Sequence, residues 1–172
     1  MRKIFNLIWE TVKIVVISLA IIIPIRYYLI QPFFVRGASM EPNFSNGQYL
    51  VVNEIGYRFE TPQRGDVVVF KYPLDPSQYY IKRIVGLPGE TVEIRSGQIL
   101  INNSILDESE YFSKEILTQG NIKIKLDQDK YFVLGDNRKA SSDSRQWGAL
   151  PQDNIIGQVW IRAWPFNQAE VF

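Results

Sequence analysis

The chain contains neither cysteine nor histidine. Without cysteine there is no disulfide framework, no thiolate nucleophile and no cysteine metal cluster. Without histidine there is no Ser-His-Asp triad, no histidine-ligated zinc and no imidazole base. Any hydrolytic chemistry must therefore take its proton carrier from Lys, Asp, Glu or Tyr. Net charge is also scarce: 19 Lys and Arg against 18 Asp and Glu leave +1. No electrostatic bias toward nucleic acid results, and a nucleic-acid partner is not expected. What is present, 46% apolar and 22% charged residues in 172, is the composition of a globular domain with room for one further element.

That further element is N-terminal. Ile14 to Ile25 (IVVISLAIIIPI) carry no charge, but this run is shorter than the roughly 20 residues that span hydrocarbon. The flanks make up the difference. Lys13 and Arg26 would stand about 20 Å apart on a helix at ~1.5 Å per residue, both able to snorkel. Trp9 on one side and Tyr27 and Tyr28 on the other fall where aromatic belts form, and Pro24 is tolerable near a helix end in lipid. The expectation is one transmembrane helix over residues 8–30. A buried core helix of a soluble protein is the competing reading. A cleaved signal peptide fits less well, because the chain continues RYYLIQP from Arg26, with no small-residue site. Arg2, Lys3 and Lys13 before the span against Arg26 and Arg36 after it do not set an orientation.

Beyond Pro32 the pattern becomes strand-like. Candidate strands are Tyr49–Asn53, Asp66–Lys71, Tyr79–Val85, Val92–Arg95, Ile99–Asn102, Ile122–Leu126, Tyr131–Leu134 and Ile155–Trp164. Each is short, rich in β-branched and aromatic residues, and bounded by turn formers. Ser96-Gly97 reads as a tight hairpin turn, and Gly86-Leu87-Pro88-Gly89 as another turn. The expected fold is mainly β, a compact coiled-sheet or barrel-like domain over residues 31–172 after an anchor over 1–30. No second domain is evident.

Three segments carry groups suited to chemistry. In VRGASMEP (Val35–Pro42), Gly37 and Ala38 precede Ser39 and leave space for a substrate backbone, and Pro42 stiffens the following turn. In YYIKRIV (Tyr79–Val85), period-2 alternation sets Tyr80, Lys82 and Ile84 on one face and Tyr79, Ile81, Arg83 and Val85 on the other. An inward Lys82 would be desolvated and pushed toward its neutral form; an outward one would only guard a sheet edge. To act as a base at pKa ~7–8 it would have to drop about 3 units, roughly 4 kcal/mol. Arg83, permanently charged, cannot serve. The third segment, Gly135–Gly148, mixes hydroxyls with Asp136, Arg138, Asp143 and Arg145. An ion pair of Asp143 with Arg145 or Arg138 would pin this loop, while Ser141 or Ser142 could orient the lysine amine.

In this order, and with these neighbours, the segments resemble bacterial type I signal peptidases. Five stretches carry the likeness: SMEP from Ser39, RGDVVVF from Arg64, YIKRIVGLPG from Tyr80, GDNR from Gly135, and SSDSRQWG from Ser141. The resemblance implies a membrane-bound serine endopeptidase that removes signal peptides from exported preproteins after small residues. It implies Ser39 as nucleophile, Lys82 as general base, Ser141 as the hydroxyl orienting the amine, and Asp143 with Arg145 as a structural ion pair. Phe33, Val35 and Ile81 would line the pockets for the small side chains at −1 and −3. The oxyanion would rest on the Ser39 amide and the Gly37 region, Gly37 standing where some members have serine. Asn43 stands where many have threonine. No metal or organic cofactor is implied. The partners are preprotein signal peptides and the lipid bilayer, in a bacterial plasma membrane, with the N-terminus cytoplasmic and the catalytic domain on the outer face. The eukaryotic branch, which uses histidine, is excluded. A self-cleaving or conjugation-associated serine–lysine peptidase, and an inactive membrane-tethered binding domain, are the alternatives.

Overall fold

The computed structural model describes residues 2–28 and 30–172. The apolar N-terminal run forms helix α1 (Arg2–Tyr28), about 40 Å long at 1.5 Å per residue. It starts earlier than the predicted span and stops sooner, because residue 30 already opens a strand. Within it, Asn6–Ile23 has the length and composition to cross a membrane, and none of that stretch is buried in the protein. Ile14, Ile17 and Ile23 each expose more than half of their surface. A core helix of a soluble fold would bury such residues, so that alternative fails. The side chains of Pro24, Arg26, Tyr27 and Tyr28, and residue Leu29, lie outside the described residues.

Twelve strands follow among the described residues, where eight were predicted: β1 (Ile30–Phe34), β2 (Tyr49–Asn53), β3 (Val67–Tyr72), β4 (Asp75–Gly86), β5 (Thr91–Arg95), β6 (Gln98–Ile101), β7 (Ser104–Ile105), β8 (Ile122–Lys125), β9 (Lys130–Leu134), β10 (Leu150–Pro151), β11 (Ile155–Trp164) and β12 (Glu170–Val171). Two four-residue helices, α2 (Gly56–Phe59) and α3 (Ser144–Trp147), interrupt them. The larger sheet has the order β1-β2-β11-β3-β4-β9-β10 with β12 added to β11, and the smaller one β7-β6-β5-β8. Every described pairing is antiparallel. The β5–β6 hairpin turns at Ser96 and Gly97, both at positive φ (54° and 84°), the geometry of a two-residue primed turn.

Residues of β3 and β4 alternate between two apolar clusters. Val68, Phe70 and Ile84 join Tyr131, Val133 and Leu150 in one. Val67, Val69 and Ile81 join Val35, Met40, Phe44 and Leu50 in the other. The sheet is thus covered on both faces here, as central strands can be. Lys82 and Arg83 do face opposite ways, yet both are buried, at 3% and 7% exposure. The smaller sheet packs Val92, Ile94, Ile99 and Ile101 against Val85, Phe132 and Leu134 of the larger one, so the two share a core. Gly86 marks their junction: a Cβ there would lie 2.4 Å from Val92 Cγ2.

Candidate active site

Strand β1 delivers the chain into the Ser39 loop. Val35 N–H donates to Gln48 O (2.9 Å) and Gly47 N–H to Val35 O (3.0 Å), closing the loop at its base. Met40 and Phe44, each 1% exposed, anchor it in the core. Gly37 takes φ +87°, a left-handed conformation that glycine adopts freely. Its N–H donates to Asn46 Oδ1 at 2.9 Å, so this amide serves the loop. The Ser39 N–H has no acceptor among the described residues. On the other side, Asn137 holds the loop in place: its N–H donates to Ser39 O (3.0 Å) and its Nδ2 to Ala38 O (3.1 Å).

Lys82 reaches this loop from the middle of β4. Its Nζ lies 2.9 Å from Ser39 Oγ and 2.8 Å from the Ile81 carbonyl oxygen, with the Tyr80 ring centroid 5.3 Å away. Burial lowers the Lys82 pKa from 10.5 to about 8, against the opposing pull of the Asp143 and Asp136 carboxylates. At neutral pH a useful fraction of such an amine is unprotonated, and it already touches a hydroxyl.

Ser141 makes no hydrogen bond to Lys82 among the described residues. Its hydroxyl is buried without a hydrogen-bond partner among the described residues. The hydroxyl sits over the Gly135 α-carbon, where a Cβ would come within 2.2 Å of it. Lys82 instead curls back onto the carbonyl preceding it in β4. Among the described residues the amine is held by Ser39 Oγ and Ile81 O.

Asp143 and Arg145 form an ion pair: Arg145 Nε lies 2.8 Å from Asp143 Oδ1, and a second guanidinium nitrogen 2.8 Å from Oδ2. Burial works against the Asp143 charge, but Arg145 and the Gly135 N–H (3.1 Å) outweigh it and hold the carboxyl below its usual range. Arg145 also donates to Arg138 O at 2.7 Å, so the pair fastens the loop to itself. Arg138 turns elsewhere, to Glu108.

Sequence reasoning missed another buried pair. Arg83 grips Asp136 with two hydrogen bonds, 2.9 and 2.7 Å. The same carboxylate accepts from Asn43 Nδ2 at 2.8 Å. Asp136 thus links the strand bearing Lys82 to the loop bearing Ser39.

Phe33, Val35 and Ile81 line a cavity of about 490 Å³ together with Leu50 and Val69, and Ser39 and Lys82 also border it. The structure thus brings together Ser39, Lys82 and the three predicted lining residues. Gly37 stands apart through its bond to Asn46. Among the described residues no cluster of acidic side chains could hold a metal ion.

A buried amine against a serine hydroxyl, opening on an apolar cleft, belongs among the hydrolases, and comparison with known proteins narrows the class to peptidases. Residues 8–164 match the family described as "Signal peptidase, peptidase S26", and the chain belongs to that family. It is 37% identical over 167 residues to signal peptidase I of Leptolyngbya laminosa, covering 92% of this chain and 81% of that one. It is 31% identical over 175 residues to signal peptidase IB of Staphylococcus aureus, covering 92% and 91% respectively. The crystal structure of a signal peptidase I from Enterococcus faecalis V583 superposes with a TM-score of 0.50 at 34% identity, covering 58% of this chain and 97% of that chain.

Proposed function

We propose that this chain is a membrane-bound endopeptidase that cleaves signal peptides from exported preproteins, with Ser39 as nucleophile and Lys82 as general base. The observation that carries the proposal is the 2.9 Å contact between Lys82 Nζ and Ser39 Oγ at a buried position. With the amine neutral, the Ser39 hydroxyl donates its proton to Nζ as Oγ attacks the scissile carbonyl. The Ser39 N–H supports the negative charge on the carbonyl oxygen. The ammonium then protonates the departing amine of the mature protein. Lys82 next takes a proton from the water that attacks the acyl-enzyme and returns it to Ser39 Oγ as the ester bond breaks and the signal peptide leaves. Each step uses only protein groups and water.

The lining of Phe33, Val35 and Ile81 suits small apolar side chains at −1 and −3. Asp143 and Arg145 act as loop supports. Helix α1 forms the anchor, and the β-rich remainder from β1 onward the catalytic domain. The function requires a cytoplasmic N-terminus and a catalytic domain on the outer face of a bacterial plasma membrane. Because β1 follows α1 directly, substrates held in the bilayer arrive close to Ser39, which reduces the entropic cost of encounter.

The test is cleavage of a radiolabelled preprotein by the full chain in detergent micelles, beside Ser39→Ala and Lys82→Ala. Mature protein should appear only with the wild type. An unaltered chain as inert as both variants would favour a binding domain. Cleavage of the enzyme alone, with the preprotein intact, would favour a self-cleaving peptidase.

A further inference from the structure

Two turns meet beside Ser39. One ends at Glu41, whose N–H donates to Ala38 O (3.3 Å). The other carries Lys139 and closes through Ala140 N–H to Asn137 O (3.0 Å). The two Asn137 bonds to Ser39 O and Ala38 O lock these turns together. Between them opens a second cavity, about 530 Å³, bordered by Glu41, Pro42, Glu115, Leu117, Asn137 and Lys139. It shares no lining residue with the apolar cleft: within the Ser39 loop, the cleft is bordered by Val35, Arg36 and Ser39, and this cavity by Glu41 and Pro42, which follow Ser39. A peptide whose −1 and −3 side chains fill the apolar cleft must leave Ser39 on some other side.

We propose that this second cavity receives the residues just downstream of the scissile bond, and that Glu41 and Lys139 select among preproteins by the charge those residues carry. The proposal rests on the peptidase reading above. Its electrostatics follow from which charges are already matched. Two ionic residues of the lining, Asp136 and Arg138, are neutralised by Arg83 and Glu108. Glu41, Glu115 and Lys139 form no ion pair among the described residues. Two unmatched carboxylates against one unmatched ammonium leave the cavity net acidic. A basic side chain downstream of the cut is favoured and an acidic one disfavoured. Lys139 is exposed and Glu41 half-buried, so each interaction is partly screened and the discrimination is modest.

The experiment uses three preproteins identical except for Lys, Gln or Glu at the second position after the scissile bond, cut by the full chain in neutral detergent. The wild type is expected to cut the Lys form roughly two- to fivefold faster than the Glu form at low salt. High salt should shrink that ratio toward one. Glu41→Lys, which moves the lining from net acidic to net basic, should reverse the order. Lys139→Gln, at an exposed turn, should widen the original preference, and it decides the matter if Glu41→Lys fails to fold. Glu60→Lys, exposed and outside the cavity, should leave the ratio unchanged. If every form is cut but Lys139→Gln and Glu41→Lys keep the wild-type ratio, the downstream site is wrong and the peptidase reading stands. If the wild type leaves even the Gln form intact, the peptidase reading itself fails.

Discussion

Two kinds of buried charge lie around the loop from Gly135 to Arg145, and they behave in opposite ways. On one side three guanidinium groups each meet a carboxylate: Arg83 with Asp136, Arg138 with Glu108, Arg145 with Asp143. On the other, the amine of Lys82 meets a hydroxyl and a carbonyl oxygen. Pairing holds Asp143 below the ordinary carboxylate range, so its charge is secured. Burial without a carboxylate in contact takes Lys82 down to about 8, so its charge is conditional. The pairs fix where the loops sit, and the conditional charge is what can move a proton.

The strongest way to break this contrast is to make the conditional charge permanent. Lys82→Arg keeps a cation at the site but cannot release its proton. Preprotein cleavage should fall by about a thousandfold or more, measured by initial rates in micelles. Cleavage within tenfold of wild type would mean that no base is needed at this position.

The converse is to strip a paired charge of its partner. Asp136→Ala leaves Arg83 buried beside no carboxylate and also removes the acceptor of Asn43. A loss of about 3–5 kcal/mol is expected on urea unfolding of the detergent-solubilised chain. Replacing both members, Arg83→Met with Asp136→Leu, should recover much of it, since two apolar side chains avoid the desolvation cost. A double variant no more stable than Asp136→Ala would place the cost elsewhere, in the lost Asn43 bond.

This division was only half legible in the sequence. Strands β7, β10 and β12, at two residues each, are too short to show a pattern, but eight strands were readable because β-branched residues alternate between turn formers. β1 was not, because Pro32 masks a strand and the preceding apolar run reads as helix; here it is an edge strand, where proline is tolerated. Lys82 could be singled out as an intrastrand lysine. That Arg83 is buried as well depends on a second covering layer, which period-2 alternation does not encode. Asp143 and Arg145 are two residues apart and could be paired on sight. Asp136 meets Arg83 across 53 residues and Asn43 across 93, and Asn137 meets Ala38 across 99. Such contacts are fixed by topology, and one sequence without its fold does not reveal them.

The conditional charge also leaves a mark on stability. A lysine whose pKa falls from 10.5 to about 8 on folding binds fewer protons when folded than when unfolded between those values. The unfolded state then holds the excess protons, so this residue's contribution to stability rises with pH across that window. Below about pH 8 the full penalty applies, of order 3 kcal/mol. Lys82→Met should therefore be more stable than wild type at pH 7, with the gap closing as pH climbs from about 8 toward 10.5. Activity should run the same way in the wild type, rising through about pH 8 as the amine is freed. A constant gap across that range would show that Lys82 titrates as an ordinary surface lysine.

The smallest expected effect concerns Gly37. A Cβ at this position would meet nothing within 4 Å, so the space is free. The backbone is the obstacle: φ +87° is left-handed, and a side chain there costs about 1–2 kcal/mol. The Gly37 N–H is already committed to Asn46 Oδ1. Gly37→Ser should lower stability by about that amount and leave the cleavage rate within a factor of two, because the added hydroxyl starts from a backbone turned toward Asn46. A well-placed oxyanion donor is worth about a hundredfold or more. If the variant gained even tenfold in rate, Ser39 would have been working with an incomplete set of donors, and the Asn46 contact would be what keeps the second one away.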